Sequence, residues 1–279
     1  MSFIELIKYL FLGIVQGITE VLPISSSGHV ELFKALLGIE MDENLIFLIL
    51  LNTGSLLAFI IIYFKKLLEL GSSFLVYIFK PSLREKNYQN YIFFSKILVA
   101  SIPAGIFGLL MSDLIDSAMA TYDILLAGVG LLVTGTVIYF VSKVHLKRGS
   151  TYLNWYDVLF IGLAQAVAIF PGISRSGMTT STALKRGLGI DTALNFSFLM
   201  YIPISLASLL FMITDVGSSD FSALSVEILI YYLFAFVGAV FATMIAYKLI
   251  FNIFRSGRIR YFSYYCFAVG LLAVVLYLI

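Results

Sequence analysis

The sequence is poor in charge and almost without cysteine. Only 12% of its 279 residues are Asp, Glu, Lys or Arg, about half the fraction in soluble domains, whereas 61% are hydrophobic. The net charge is +2 and the basic residues lie in loops between apolar runs, so no nucleic-acid partner is indicated. The lone Cys266 excludes an intramolecular disulfide and gives no sign of a cysteine metal site. These deficits indicate an integral membrane protein.

The apolar runs are continuous and close to 20 residues long, about the length that spans a bilayer as a helix. The strands of a membrane barrel would instead alternate apolar and polar residues. We therefore predict an all-α, polytopic membrane protein. A short apolar piece at 70–79 is expected to lie at the membrane interface. Six transmembrane helices are predicted, at 45–64, 91–111, 121–142, 194–214, 225–250 and 261–279.

Two further segments are predicted to form re-entrant helix pairs, which enter the membrane and turn back. In the first pair, residues 3–22 and 29–38 flank a turn with three consecutive serines. In the second, residues 155–170 and 176–188 flank the sequence PGISRSG. Proline and glycine in each turn prevent one regular helix from running through it.

The two halves of the chain resemble each other. A shift of 149 positions aligns identical residues: Gly13 with Gly162, Gln16 with Gln165, Ile24 with Ile173, Ser25 with Ser174, Ser27 with Ser176, and Gly28 with Gly177. We predict a single membrane domain over 1–279, built from inverted-topology repeats at about 1–142 and 150–279. Such repeats bring their broken helices together around a shared cavity near the bilayer midplane.

The loops between the apolar runs alternate in charge. Basic residues are concentrated in three of them, at 65–90, 143–154 and 255–260. Acidic residues are concentrated in the alternate loops, at 40–43, 113–116 and 215–220. Because basic loops are usually cytoplasmic, both termini are predicted outside. The first re-entrant pair then enters from outside and the second from the cytoplasm.

The polar residues of the two turns are of the types used in phosphoryl transfer. The stretch GITEVLPISSSGH, residues 17–29, contains Glu20, the three serines and His29. A serine becomes a nucleophile when a base lies close to it, and the bases in this stretch are Glu20 and His29. The second turn supplies Arg175, whose planar fork suits phosphate oxygens. Charged side chains inside a membrane are costly and mark functional sites.

The sequences QGITE, PISSSGH and PGISRSGMT resemble the motifs of the undecaprenyl-diphosphate phosphatase family, the bacitracin-resistance-type phosphatases of bacterial membranes. The resemblance covers essentially the whole chain, including NTGS at 52–55 and FSFL at 196–199. Family members have Glu or Gln at the start of the first motif, and this chain has Gln16. The resemblance implies hydrolysis of undecaprenyl diphosphate to undecaprenyl phosphate and inorganic phosphate, which recycles the carrier lipid for cell-wall synthesis.

For this reaction we predict that Ser26 attacks and forms a phosphoserine, with Glu20 orienting or deprotonating it. His29 would protonate the leaving phosphate or activate water in the second step, and Arg175 would clamp the charge of the diphosphate. The reverse assignment, with His29 as the nucleophile, stays open. The expected substrate-binding residues are Gln16, Ser25, Ser27, Gly28, Gly172, Ser174, Ser176 and Thr179.

A transporter or flippase is the alternative, since an inverted repeat with a midplane cavity suits either function. A transporter would not need a base beside a nucleophile. A divalent cation, Mg²⁺ or Ca²⁺, is expected to arrive with the diphosphate, because Glu20 is the one carboxylate near the serines. The expected partners are the polyisoprenyl diphosphate, the bilayer of the bacterial inner membrane and a second copy in a homodimer. The headgroup cavity is expected to face outward.

Overall fold

The computed structural model describes residues 2–39, 44–143, 149–215 and 225–278. No β-strand occurs among them, and the all-α prediction is confirmed. One 3₁₀ turn, Pro81–Leu83, precedes α4. The α-helices described are α1 Phe3–Val21, α2 Ser26–Leu37, α3 Asn44–Phe79, α4 Arg84–Val141, α5 Trp155–Val167, α6 Arg175–Lys185, α7 Ile190–Asp215, α8 Val226–Arg255 and α9 Arg260–Leu278.

Six helical segments of the described chain are long and apolar enough to cross a membrane, which confirms the six predicted spans. They are Ile46–Phe79, Pro81–Ile115, Thr121–Val141, Ile190–Phe211, Val226–Arg255 and Arg260–Leu278. Helix α4 supplies two of them, joined at a kink where Tyr122 leaves helical geometry (φ −133°, ψ 29°). The separate interfacial piece predicted at 70–79 is wrong, because these residues continue α3 without a break.

The helices are interrupted at both serine-containing turns. Helix α1 ends at Val21 and α2 begins at Ser26; helix α5 ends at Val167 and α6 begins at Arg175. Proline and glycine in each turn account for the interruption. The helices of the two predicted pairs are thus present, while their re-entrant path and the inverted orientation of the two repeats stay predictions.

Glycine allows the first helix of each pair to approach a long helix closely. A Cβ atom added to Gly13 in α1 would lie 2.0 Å from the carbonyl oxygen of Ala235 in α8. A Cβ atom on Gly162 in α5 would lie 2.6 Å from the carbonyl oxygen of Ala100 in α4. Small residues that let backbones touch are typical of helix packing in membranes. These two contacts anchor the helices that lead into the serine turns.

A buried aromatic group packs α3 against α7 beside the second turn. The ring centroid of Phe59 lies 5.2 Å from that of Phe198 and 5.1 Å from that of Tyr201. Such pairs add to the stabilisation from apolar burial. This packing holds the Tyr201 ring in place next to Arg175.

The charge pattern used for sidedness is only partly covered by the structure. Residues 40–43, 144–148 and 216–220 lie outside the described ranges. The predicted orientation in the membrane, with both termini outside, therefore stays a prediction.

Candidate active site

The two turns are far apart in the sequence but contact each other in the structure. The Ser176 hydroxyl donates to the carbonyl of Leu22 at 3.1 Å, and the N–H of Gly172 donates to Ser27 Oγ at 3.5 Å. Gly172 has φ +78°, and an added Cβ would lie 2.2 Å from the carbonyl oxygen of Ala127. Both observations require glycine there. The convergence of the two turns on one place agrees with the prediction of a shared cavity.

The centre of this junction is Glu20, which receives hydrogen bonds from both turns. The Ser26 hydroxyl donates to Glu20 Oε2 at 2.6 Å. Arg175 donates from Nη2 to Glu20 Oε1 at 2.5 Å. The Glu20 side chain is only 8% exposed, and a buried carboxylate needs such partners. A serine bound to a carboxylate that is itself held by an arginine is the arrangement expected of an activated nucleophile.

Gln16 supplies a further hydrogen bond to the Glu20 carboxylate. Its side-chain N–H₂ group donates to Glu20 Oε2 at 3.1 Å and to Asn52 Oδ1 at 2.9 Å. Gln16 is buried, and these two hydrogen bonds hold its amide between Glu20 and Asn52. Gln16 thus holds the Glu20 carboxylate in this structure, and its predicted role in substrate binding stays a prediction.

Arg175 is held on two further sides. Its guanidinium carbon lies 4.0 Å from the centroid of the Tyr201 ring, close enough for a cation–π interaction. Its Nη1 lies 3.5 Å from the carbonyl oxygen of Ser197. These contacts fix the Arg175 side chain before a phosphate binds. Its remaining N–H groups can therefore bind a phosphate with little further loss of rotamer freedom.

Ser25 and Ser174 have the same local role at the starts of α2 and α6. The Ser25 hydroxyl oxygen accepts from the N–H of Gly28, and that of Ser174 accepts from the N–H of Gly177. Each serine therefore caps a helix. Ser25 has φ +67°, a strained conformation for a residue other than glycine.

The hydroxyls also pair within each turn. Ser25 Oγ lies 3.3 Å from Ser27 Oγ, and Ser174 Oγ lies 3.4 Å from Ser176 Oγ. Since both helix N-termini begin at the same cavity, their dipoles favour an anion there.

These groups surround a small polar cavity of about 110 Å³, called the Ser26 cavity below. Seven of the predicted site residues line it: Glu20, Ser25, Ser26, Ser27, Ser174, Arg175 and Ser176. Thr19, Ala168 and Ile173 complete its wall. Hydroxyl donors, one guanidinium and two helix starts around a single carboxylate provide the groups needed to bind and transfer a phosphate.

Other predicted residues lie behind this wall. Thr179 is buried and its hydroxyl lies 2.5 Å from Ser197 Oγ, so it supports the segment whose carbonyl faces Arg175. Gly28 contributes its N–H to the Ser25 cap. Gly172 allows the second turn to pack closely against Ala127. These three residues shape the site from outside the lining.

His29 is turned toward α9 rather than lining the Ser26 cavity. Its Nδ1 lies 2.7 Å from the carbonyl oxygen of Ser25, and its Nε2 lies 2.8 Å from the hydroxyl of Tyr265. The His29 and Tyr265 rings are also stacked, with centroids 5.4 Å apart. Both ring nitrogens are therefore engaged, and the structure does not join His29 directly to the Glu20–Ser26 pair.

Besides Thr19, Ala168 and Ile173 in the cavity wall, four residues that contact the predicted site residues were not predicted. Asn52 and Ser197 belong to NTGS and FSFL, stretches that the resemblance included without assigning roles to their residues. Tyr201 and Tyr265 are two of 17 tyrosines, most of which suit membrane interfaces, and nothing local distinguished them.

The side chains that the structure describes form no dedicated metal cage. Among the described residues there is no group of three or more His, Cys, Asp and Glu side chains that could hold an ion. Glu20 is already paired with Arg175, whereas Mg²⁺ and Ca²⁺ need several oxygen ligands. The donor set of the Ser26 cavity therefore does not fit a divalent ion held by the protein alone.

Comparison with known proteins gives one family. The model of the family described as bacitracin resistance protein BacA matches residues 9–272. Undecaprenyl-diphosphatase 3 of Bacillus anthracis is 39% identical over 275 residues, which cover 98% of both chains. The undecaprenyl-diphosphatase of Oceanobacillus iheyensis is 40% identical over 274 residues, again 98% of both chains. Undecaprenyl-diphosphatase 1 of Bacillus licheniformis is 38% identical over 275 residues, or 99% of both.

Proposed function

Because the chain belongs to the bacitracin resistance protein BacA family, we infer that it is an undecaprenyl-diphosphate phosphatase. It hydrolyses undecaprenyl diphosphate to undecaprenyl phosphate and inorganic phosphate. The support is the match to diphosphatases over nearly the full length of both chains. These comparisons give no support to the transporter alternative.

The observation that carries the mechanism is the hydrogen bond from Ser26 Oγ to Glu20 Oε2, with Arg175 on the other carboxylate oxygen. We propose that Ser26 attacks the terminal phosphorus of the diphosphate while its hydroxyl proton passes to Glu20. The bond from that phosphorus to the bridging oxygen breaks, and undecaprenyl phosphate leaves with the bonding electrons. The terminal phosphoryl group remains on Ser26 as a phosphoserine.

In the second step a water molecule attacks the phosphoserine. The bond between phosphorus and Ser26 Oγ breaks, Ser26 Oγ takes back the proton held by Glu20, and inorganic phosphate leaves with both protons of the water. Glu20 lies within hydrogen-bond distance of Ser26 Oγ in this geometry, so it is placed to exchange protons in both steps.

Arg175 stabilises the charge that develops on the transferred phosphoryl group. Without substrate, one N–H of the guanidinium neutralises Glu20. The fork has five N–H donors, which leaves others for phosphate oxygens. The N-termini of α2 and α6 add partial positive charge at the same place.

Three further expectations belong to this proposal. A divalent cation, Mg²⁺ or Ca²⁺, would enter with the diphosphate, and no step above depends on it. The contact of His29 with the Ser25 carbonyl supports a role in positioning the strained turn, and its predicted role as general acid, water activator or nucleophile stays a prediction. A homodimer remains a prediction.

The proposed location is the bacterial inner membrane, with the site open to the outer face. A cleft beside the Ser26 cavity is lined by Asn52, near the start of α3, and by Ser208, near the end of α7. Both helix ends are those that the charge pattern puts outside. Carrier lipid released after glycan polymerisation would enter from that face.

The deciding experiment is phosphate release from undecaprenyl diphosphate by the purified protein in detergent, with Mg²⁺, with Ca²⁺ and with a chelator. Stoichiometric inorganic phosphate and undecaprenyl phosphate are expected. Folded protein that binds the lipid and releases no phosphate under any of these conditions would exclude the phosphatase and restore the transporter alternative.

A further inference from the structure

A second, larger cleft adjoins the Ser26 cavity. It has a volume of about 320 Å³, and Arg175 and Ala168 line both spaces. Its other polar lining residues are uncharged: Asn52, Thr53, Gln165, Ser205 and Ser208. Within the described part of the chain no acidic side chain lines it. Amide and hydroxyl donors beside one guanidinium suit an anion.

Gln165 is the unexplained residue of this cleft. It is 1% exposed, and neither its side-chain nitrogen nor its side-chain oxygen has a hydrogen-bond partner within the described residues. Buried polar atoms without partners are rare, and each one calls for an explanation. Because the amide has no hydrogen bond to break, it can turn toward a ligand in the cleft without that loss.

The repeat accounts for the lack of a side-chain partner for Gln165 among the described residues. Its counterpart Gln16 donates to Glu20, four residues further along α1. The same shift of 149 positions places Ile169 at the site that corresponds to Glu20. The second half thus keeps the glutamine but lacks the carboxylate that would accept a hydrogen bond from its amide. A ligand with acceptor oxygens would restore the missing hydrogen bond.

We propose that the Gln165 cleft binds the lipid-linked phosphate of the substrate, with the Gln165 amide as a donor, while the terminal phosphate occupies the Ser26 cavity. This inference rests on the proposed function. The two phosphorus atoms of a diphosphate share one oxygen, so their binding sites must adjoin and can share one cation. Arg175 lines both spaces and meets that requirement.

The remaining walls of the cleft fit the rest of the lipid. Ile49, Leu56, Ile204 and Leu209 supply apolar surface suited to the first isoprene units next to the phosphate. The Ser26 cavity is smaller and lined mainly by polar groups, so it suits a phosphate without a chain. The two spaces therefore distinguish the two ends of the headgroup.

The test uses product inhibition, because the two products separate the two sites. In Gln165→Leu, the KM for undecaprenyl diphosphate and the inhibition constant for undecaprenyl phosphate should rise roughly tenfold, as expected for one lost hydrogen bond to a charged group. The inhibition constant for inorganic phosphate should stay unchanged. Gln89→Leu is the matched control, since Gln89 is exposed and far along α4 from the cleft.

Two results would overturn the proposal. One is an unchanged inhibition constant for undecaprenyl phosphate in Gln165→Leu. The other is weaker inhibition by inorganic phosphate alone, which would put the terminal phosphate in the cleft. Should Gln165→Leu not fold, Ser208→Ala tests the same cleft at an exposed position. It should weaken undecaprenyl phosphate about threefold, as for a hydrogen bond at the low end of the usual range; unaltered inhibition in that variant would then contradict the proposal.

Failure of the function and failure of the cleft proposal are distinguishable. If the wild-type protein releases no phosphate, the proposed phosphatase activity is contradicted, but the cleft proposal is not. Binding of undecaprenyl phosphate to wild-type and Gln165→Leu protein, measured by calorimetry in detergent, tests the cleft without turnover. Weaker binding to the variant supports the cleft, and equal binding contradicts it.

Discussion

Arg175 Nη2 and Glu20 Oε1 lie 2.5 Å apart although the two residues are 155 positions apart in the chain. Each side chain comes from a different serine-containing turn, so the pair exists only when the two halves of the chain have packed together. Removing one partner would leave a buried charge uncompensated, which is strongly unfavourable. The same pair places a carboxylate that can accept a proton and a cation that can bind phosphate together in the wall of one cavity.

Replacement of Ser26 by alanine should remove nearly all turnover. The change deletes the proposed nucleophile and leaves Glu20 and Arg175 in place, and losses of roughly 10³-fold or more in kcat are expected for a group that forms a covalent intermediate. Phosphate release from undecaprenyl diphosphate measures the effect.

Ser25→Ala and Ser27→Ala are the matched controls, because both hydroxyls line the same cavity. Ser25→Ala loses a helix cap and should cost much less than Ser26→Ala. Near-wild-type turnover in Ser26→Ala would contradict the assignment and move the nucleophile to His29 or to water.

Arg175→Lys should lower kcat by about 10²- to 10³-fold, the usual effect of losing a main electrostatic donor. Lysine keeps the charge, but it cannot donate as a planar fork or reproduce the stacking of the guanidinium on Tyr201. The measurement is kcat with undecaprenyl diphosphate.

The control for this prediction is Arg255→Lys. Arg255 forms an exposed ion pair with Asp191, and such pairs contribute little, so turnover should change less than twofold. Full activity in Arg175→Lys would show that positive charge suffices and that the fork geometry is unimportant.

His29→Ala should lower kcat without accumulation of phosphoserine. In the structure His29 contacts the Ser25 carbonyl and Tyr265, and its loss should loosen the turn that places Ser26. Rapid-quench detection of phosphoprotein measures the intermediate. Tyr265→Phe removes the hydrogen bond to His29 Nε2 but keeps an aromatic ring for stacking, and it should produce a smaller loss of the same kind.

Accumulation of a phosphorylated intermediate would instead assign His29 a direct role in the reaction. Build-up of phosphoserine in His29→Ala would identify His29 as the residue that activates water in the second step. Phosphohistidine in the wild-type protein would identify it as the nucleophile.

The orientation in the membrane is testable with single cysteines in a Cys266→Ala background. Those on the predicted outer loops should react with a membrane-impermeant thiol reagent in intact cells, and those on the predicted inner loops only after permeabilisation. The outer positions are Asp42, Asp116 and Asp220, and the inner positions are Arg84, Lys147 and Arg258. The reverse labelling pattern would overturn both the topology and the outward-facing site.

Gly13→Ala should destabilise the protein by about 1–3 kcal/mol, the usual range for overpacking. The added Cβ would meet the carbonyl oxygen of Ala235 at 2.0 Å, so α1 or α8 must move. Gly71→Ala is the control, because a Cβ on Gly71 in α3 meets nothing within 4 Å and should stabilise the helix by about 0.5–1 kcal/mol. Thermal unfolding in detergent compares the two, and equal stability would contradict the close contact.

The sequence alone was sufficient for the class of structure. Helix-length apolar runs and low charge predict spanning helices because backbone polar groups in lipid must be satisfied within the segment. The breaks at both serine turns were also predictable, since proline and glycine interrupt a helix by local geometry. The bounds were less predictable. α3 continues to Phe79 because the lysine, leucine and glutamate residues that follow its apolar run also favour a helix.

The types of residue in the site could likewise be read from the sequence, and their partners could not. Glu20, Ser26 and Arg175 were predicted to act together, and the structure brings them together.

Three arrangements were decided by tertiary structure alone. His29 turns to Tyr265, and Gln16 donates to the Glu20 carboxylate. Gln165 lies buried in the cleft that Arg175 also lines, with no side-chain partner among the described residues. The physical reason is that helix length and turn position depend on neighbours along the chain, whereas hydrogen bonds across more than a hundred residues depend on how the helices pack.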